Sequence, residues 1–210
     1  MEVKNLKADR RRLPGSRQAT LCLLAISFAF PSASRPQTVP TFAISTEDSS
    51  IKFHVKASIA LDGIFEKWDA TFTVTSTDPA TGVLDVKIQA DSVNTGSGMK
   101  DGKLKGKDFF DVKQDPLITF HSNKIVQTGP ETFDVKGTFT IRGVSKPETL
   151  NLTVSGKGTG SGEVKGAMAF DRKEFGMNSG IPFIRIADRV EVTVDLKAKR
   201  VSGPPLVFQQ

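Results

Sequence analysis

The chain has 210 residues, of which 25% are charged and 38% are hydrophobic, and its formal net charge is +6. This length predicts one domain or at most two, with enough apolar residues for a globular core. Residues 1–34 hold six Lys or Arg and two Asp or Glu, which leaves only about +2 for the rest of the chain. The charge therefore does not indicate a nucleic-acid-binding protein.

The first 34 residues have the three parts of a secretory signal peptide. A basic start precedes the apolar run ATLCLLAISFAF at 19–30 and the small residues PSAS at 31–34. This run is shorter than the roughly 20 residues that span a bilayer, so a short membrane anchor or a wrongly assigned start is the less favoured alternative. We predict cleavage after Ser34 and a periplasmic or secreted mature protein without a stable membrane span. The choice between the Sec and Tat export routes stays open.

Residues 35–41 form a predicted linker, and from residue 42 onward apolar and polar residues alternate in eight segments. The segments are 51–57, 68–75, 84–90, 118–122, 133–141, 150–154, 164–170 and 190–198. Such alternation indicates strands with one apolar and one polar face. Eight or more short strands separated by turn residues predict an all-β antiparallel barrel or sandwich, and a closed sheet suits strands that bury only one face.

One segment breaks the alternation. Residues 94–110 contain one aliphatic residue, Leu104, apart from Met99, before the adjacent Phe109 and Phe110. We predict one short helix near residues 99–108, after which the two phenylalanines close one end of the barrel. The barrel domain is predicted over residues 42–199, and residues 200–210 are predicted to be a frayed tail.

Few residues offer catalytic or metal-binding chemistry. Cys22, the only cysteine, lies in the signal peptide, so the mature chain has no thiol, disulfide or cysteine metal site. The only histidines, His54 and His121, fall on the polar faces of their strands, and two such residues do not make a zinc site. Glu66 is the one carboxylate that falls on the apolar side of the alternating pattern, in phase with Ile64 and Trp68, and it is the only candidate general acid. We predict no enzyme activity, no cofactor and no metal.

The apolar faces of the strands supply the candidate binding site. Packing into an ordinary core is the simpler interpretation for each residue alone, but together they suit an elongated apolar ligand. The predicted ligand-binding residues are Phe53, Val55, Trp68, Phe72, Phe110, Ile118, Phe120, Phe133, Phe139, Met168, Phe170 and Val192. Candidate contacts to an anionic head group are Lys100, Lys103, Lys105 and Lys107.

Four stretches carry motifs that occur in a fixed order along the chain. They are SSIKFHVKASIALDGIFEKW, then ADSVNTG with KDGKLKGKDFFDVKQDPLITFHSNKI, then GTFTIRGVSKPETL, and finally FDRKEFGMNSG. Together they resemble the YceI-like family, over about residues 42–199. Lys100, Phe139 and Ser145 depart from the residues usual in the family, but each replacement keeps charge or approximate size.

The resemblance implies a lipocalin-like, up-and-down antiparallel barrel of about eight strands. It also implies an amphiphilic isoprenoid lipid as the partner, such as a polyisoprenoid, a quinone or a prenyl phosphate, held inside the barrel for carriage, storage or stress response in a bacterial cell envelope. A ligand-free filled barrel that acts as a stress or interaction protein is the alternative, and an enzyme using the same cavity is a weaker one. The oligomeric state stays open, with a homodimer as one option.

Overall fold

Alternating apolar and polar residues form the walls of a curled β-sheet in the computed structural model, which describes residues 39–58, 61–180 and 185–209. The predicted signal peptide, Cys22 and most of the predicted linker lie outside these ranges. Within the described residues, no helix is both long enough and apolar enough to cross a membrane.

Ten strands and one α-helix make up the regular structure of the described residues. The helix α1 is Gly98–Lys105. The strands are β1 Thr41–Ala57, β2 Leu61–Phe65, β3 Trp68–Thr73, β4 Val83–Gln89, β5 Val93–Asn94, β6 Leu117–Gln127, β7 Thr132–Ile141, β8 Val144–Ser155, β9 Ser161–Asp171 and β10 Ile186–Ser202. Single turns of 3-10 helix follow β3, β4 and β9.

The alternation seen in the sequence matches the burial of the strands. In β7, Phe133, Val135, Phe139 and Ile141 are buried, whereas the residues between them are exposed or half-buried except for Gly137. Side chains of a strand point alternately to the two faces of the sheet, so these four side chains point into one interior.

The strands form one sheet in the order β3-β4-β6-β7-β8-β9-β10-β1-β2-β5, with every neighbouring pair antiparallel. The sheet curls into a half-barrel and brings β1 beside β3. In the part of the chain that the structure describes, no hydrogen-bonded ladder joins these two strands. Side chains meet there instead, and the ring centroids of Phe42 and Phe72 are 5.8 Å apart.

The antiparallel all-β prediction is confirmed, but the sheet has more strands than the eight expected. The two additional strands are β2 and β5. β2 has five residues with Gly63 at its centre, and β5 has only two residues. Neither segment is long enough to show a period-two pattern.

The predicted short helix is present, and it ends at Lys105, earlier than expected. Gly106 follows it, and its N–H donates to the carbonyl of Lys103. The chain then turns back, with the N–H of Phe110 donating to the carbonyl of Leu104 at 2.9 Å. This turn buries both Phe109 and Phe110 at the α1 end of the interior.

The C-terminal residues differ from the predicted frayed tail, 200–210. β10 extends into this range, and residues after it form hydrogen bonds with the loop after β3 and with the end of β6. The N–H of Val207 donates to the carbonyl of Thr77 at 2.8 Å. Gln127 donates to the carbonyl of Gln209 at 2.8 Å and accepts from its N–H at 2.9 Å. The segment after β10 therefore lies against the barrel.

Candidate functional site

The interior holds a cavity of about 190 Å³, called here the larger cavity. Eight of the ten strands contribute to its wall; β2 and β5 do not. Its apolar lining includes Ile44, Leu84, Val135, Leu152 and Val194. Packed protein interiors contain few voids larger than one water molecule, so an apolar space of this size is an unusual feature.

One end of the larger cavity lies at the turn between β8 and β9 and at the C-terminal segment. Residues of that turn from Ser155 to Ser161 line this end, and so do Leu206 and Phe208. The ring of Phe208 packs edge-on against Phe133, with centroids 5.9 Å apart. Several of these turn residues are exposed, so the larger cavity opens to solvent at this end. The C-terminal segment therefore covers part of the opening.

A smaller cavity of about 60 Å³ lies toward α1. Leu104, Phe109 and Phe110 line it together with residues of β1, β2, β4, β6, β7, β9 and β10. Ile51 lines both cavities and is 2% exposed. A single buried side chain therefore contributes to the separation of the two spaces.

The predicted ligand-binding residues fall mostly in the smaller cavity. Phe72 and Phe133 line the larger cavity. The smaller cavity is lined by Phe53, Val55, Phe110, Ile118, Phe139, Phe170 and Val192. Trp68, Phe120 and Met168 line neither cavity. Phe120 and Met168 belong to the buried core, and the half-buried Trp68 packs against it.

Most of the wall of the larger cavity consists of residues that were not predicted from the sequence. Phe42 and Ile44 lie in the first half of β1, which precedes the alternating segment that was recognised. Leu206 and Phe208 lie in the segment expected to be frayed. Polar residues break the alternation between Ile44 and Ile51. In the structure they lie where the register of β1 shifts between Ser45 and Ser50.

The four lysines predicted as head-group contacts lie on or just after α1. None of them lines either cavity. Lys103 Nζ lies 2.7 Å from a carboxylate oxygen of Asp108 and 5.9 Å from the ring centroid of Phe109. The hydrogen bond from Lys103 lowers the pKa of the Asp108 carboxyl below its ordinary value. The basic side chains that do line the larger cavity are Lys157 and Arg200.

The histidines lie on the outside of the sheet, as predicted. Nδ1 of His54 is 2.6 Å from Asp62, its partner across β1 and β2. Nδ1 of His121 is likewise 2.6 Å from Asp85 across β4 and β6. Within residues 39–58, 61–180 and 185–209, no three His, Cys, Asp or Glu side chains form a group that could hold a metal ion.

Glu66 does not reach either cavity. Its side chain is exposed and accepts a hydrogen bond from the amide of Asn94 at 2.6 Å. Leu61 and Phe65 supply the buried positions of this part of the chain. The alternating pattern that assigned Glu66 to the apolar face is therefore interrupted in the turn between β2 and β3.

A buried guanidinium closes the wall of the smaller cavity. Arg172 is 6% exposed and donates hydrogen bonds to the carbonyls of Met177, Ser179 and Ala187. It also lies 3.2 Å from Asp188. Buried charges are tolerated when they are paired and hydrogen-bonded, so Arg172 ties the turn after β9 to the start of β10.

Comparison with known proteins agrees with this architecture. A sequence model of the YceI-like domain matches residues 42–198. Proteins called UPF0312 from Pseudomonas savastanoi pv. phaseolicola and Yersinia pestis are 34% and 36% identical over 98 residues, which are 47% of this chain. These matches cover 51% and 50% of the two relatives, so the chain spans about half the length of the curated relatives it matches.

Two solved structures have a similar fold. BcnA from Burkholderia cenocepacia is 26% identical, with a TM-score of 0.67 over 74% of this chain and 99% of that one. A polyisoprenoid binding domain from Saccharophagus degradans is 14% identical, with a TM-score of 0.62 over 77% of this chain and 99% of that one. At 14% identity the second likeness concerns the fold alone. The domain match, the ordered motifs and the curled antiparallel sheet show that this chain belongs to the YceI-like family.

Proposed function

We propose that this protein binds an isoprenoid-type lipid, with the apolar tail in the larger cavity and the polar head at its opening. The observation that supports the proposal is the apolar cavity of about 190 Å³ at the centre of the curled sheet. A water molecule needs only about 10–15 Å³, so this space holds far more than one buried water.

The physical driving force is burial of the tail. Each Å² of apolar surface removed from water contributes roughly 25 cal/mol, and a flexible tail can also fill space that the side chains leave empty. Binding sites for small ligands are usually concave and mostly apolar, with few polar groups. The lining of the larger cavity has this composition.

The class of ligand is part of the proposal. The Saccharophagus degradans domain is described as binding a polyisoprenoid, and it has the same fold. A polyisoprenoid, a quinone and a prenyl phosphate all combine a long apolar tail with a small polar end. We propose carriage or storage of such a lipid in the cell envelope, after export and removal of residues 1–34.

Two alternatives are less well supported. A ligand-free filled barrel would have an interior without continuous space, in contrast to the cavity described above. An enzyme would need a catalytic group facing the ligand, and Glu66, the only candidate, is exposed on the outside. Binding without chemistry is therefore the function that the site supports best.

Native mass spectrometry of the mature protein, purified from its own host, tests the proposal. A stoichiometric adduct whose extracted lipid has an isoprenoid fragmentation pattern would support it and identify the lipid. An unchanged protein mass, both as purified and after incubation with quinones, prenols and prenyl phosphates, would contradict it in favour of the filled barrel.

A further inference from the structure

Two cationic side chains stand at the opening of the larger cavity. Lys157 lies in the turn between β8 and β9, and Arg200 lies in β10 beside that turn, where its N–H donates to the carbonyl of Gly160 at 2.8 Å. The other side chains of the lining, among the described residues, are uncharged. The opening is therefore positively charged, whereas the remainder of the cavity is apolar.

Neither cation pairs with a carboxylate in the described part of the chain. Lys146, Lys165 and Lys197, on the neighbouring strands, all pair with Glu or Asp side chains. Lys157 instead places Nζ 4.7 Å from the ring centroid of Phe208. Arg200 donates from Nη1 to the carbonyl of Gly203.

Both contacts involve the C-terminal segment that covers the opening. A lysine above an aromatic ring gains only a weak attraction at an exposed site. An anionic group between Lys157 and Arg200 would replace that contact with charge-assisted hydrogen bonds, which are stronger. Low-dielectric apolar walls beside the opening would strengthen the attraction further.

We propose that Lys157 and Arg200 form a head-group site that selects lipids with an anionic end, a phosphate or a carboxylate. This inference rests on the proposed function, because it requires the lipid tail to occupy the larger cavity. The head group then lies at the β8–β9 turn, not at the lysines near α1 that were predicted from the sequence. Entry of the ligand moves Phe208 away from Lys157.

Matched pairs of ligands test the site. Farnesyl phosphate and farnesol share one tail, as do palmitate and hexadecanol, and within each pair only the first carries a charge. Dissociation constants are measured by isothermal titration calorimetry at low and high salt for the mature protein. We expect each anion to bind roughly tenfold more tightly than its alcohol at low salt, and high salt to reduce the difference.

Variants assign the preference to residues. Lys157→Gln with Arg200→Gln should abolish the preference, so that each anion binds the variant no more tightly than its alcohol does. Lys157→Gln alone should reduce the preference for the anions. This single variant keeps Arg200 and so tests the site even if the loss of Arg200 impairs folding. Lys52→Gln with Lys124→Gln removes the same charge from the exposed surface of the sheet and should retain the preference.

The outcomes separate the two proposals. If the Lys157 and Arg200 variant still prefers the anions, the head-group site is overturned. The same holds if the preference for the anions is lost in Lys105→Gln with Lys107→Gln and not in the Lys157 and Arg200 variant. In both cases tight alcohol binding would leave the proposed lipid-binding function standing. Phosphate preference without carboxylate preference would identify phosphate as the head group of this site. Failure of all four ligands to bind the unmodified protein would overturn the lipid-binding function and, with it, the head-group site.

Discussion

The ring of Phe53 lies directly over Gly63, its partner across β1 and β2. A Cβ atom added to Gly63 would lie 2.4 Å from Cε1 and Cζ of the ring. The glycine therefore leaves the space that the ring occupies. Phe53 in turn contacts Phe65, at a centroid distance of 5.6 Å, and both are buried.

We expect Gly63→Ala to destabilise the protein, because the methyl group would displace a buried ring. Overpacking of this kind typically costs about 1–3 kcal/mol. Urea unfolding monitored by circular dichroism would measure the loss. Gly102→Ala in α1 is the matched control, because no atom beyond its chain neighbours and the backbone of its own helix lies within 4 Å of its added Cβ. Alanine favours a helix over glycine by up to about 1 kcal/mol, so this control should be neutral or stabilising. Equal losses in both variants would contradict the packing argument.

The same glycine explains why β2 was not predicted from the sequence. A strand is recognised by side chains that alternate, and Gly63 offers none at the centre of LDGIF. The ring that covers Gly63 comes from β1, so the side chain that stabilises this position lies outside β2 itself. Local patterns could not reveal this pairing, whereas the longer strands β7 and β10 showed theirs over ten or more residues.

The location of the larger cavity could not be predicted for a related reason. Alternation identifies which side chains point inward, and it did so for Phe72 and Phe133. It does not tell where inward side chains fill the space and where they leave it empty, because that depends on the curvature of the sheet. The predicted ligand contacts were mainly aromatic residues, and seven of the predicted residues line the smaller cavity near α1 and not the larger one.

Filling the larger cavity should block the lipid. Ala70 is buried on β3 and lines this cavity, so Ala70→Phe would occupy part of the space intended for the tail. We expect at least a tenfold weaker binding of farnesol, measured by calorimetry, with the variant still folded by circular dichroism. Thr71→Phe adds the same ring at the next position of the strand, which is exposed. This control should bind as the unmodified protein does, and equal weakening in both would argue against the cavity as the binding site.

Ile51 should limit the length of the tail that fits, since it lines both cavities. Ile51→Ala would join them and let a longer tail reach the space beside Phe110. We expect the affinity for geranylgeraniol relative to farnesol to rise in this variant.

Truncation of a buried isoleucine costs about 2–5 kcal/mol, so thermal unfolding must confirm that the variant is folded. Ile51→Val, at a cost of about 0.5–1.5 kcal/mol, should give a smaller change in the same direction. An unchanged ratio in both folded variants would show that Ile51 does not separate the two spaces.

The C-terminal segment should control the rate of ligand exchange. Phe208 contacts both Phe133 and Lys157 at the opening of the larger cavity. We expect Phe208→Ala to raise both the association and the dissociation rate of a fluorescent prenol analogue, measured by stopped flow, because less of the opening is covered. Val207→Ala is the control, since Val207 is the adjacent residue and is 64% exposed. Equal rates in the Phe208 variant and the unmodified protein would rule out the C-terminal segment as the barrier.

Glu148 makes the stability depend on pH in a specific direction. Burial, together with the nearby charge of Glu174, raises the pKa of the Glu148 carboxyl above its ordinary value of 4.5, although Lys146 partly opposes the shift. A raised pKa means that the folded state holds this proton more tightly than the unfolded state does. Ionisation of Glu148 therefore reduces stability as the pH rises from about 4.5 through the raised pKa.

We expect Glu148→Gln to raise the free energy of unfolding at pH 7, with little ionisation-related difference at pH 3.5. Urea unfolding at the two pH values measures this change, and an NMR titration of the side-chain carbonyl measures the pKa of Glu148 directly. Glu174→Gln should lower the pKa of Glu148 toward its ordinary value, because it removes the like charge and frees Lys146, which now lies 3.6 Å from Glu174. If Glu148→Gln raised the free energy of unfolding equally at both pH values, the stabilisation would come from packing or hydrogen bonding of the amide. It would then not come from removal of a destabilising charge.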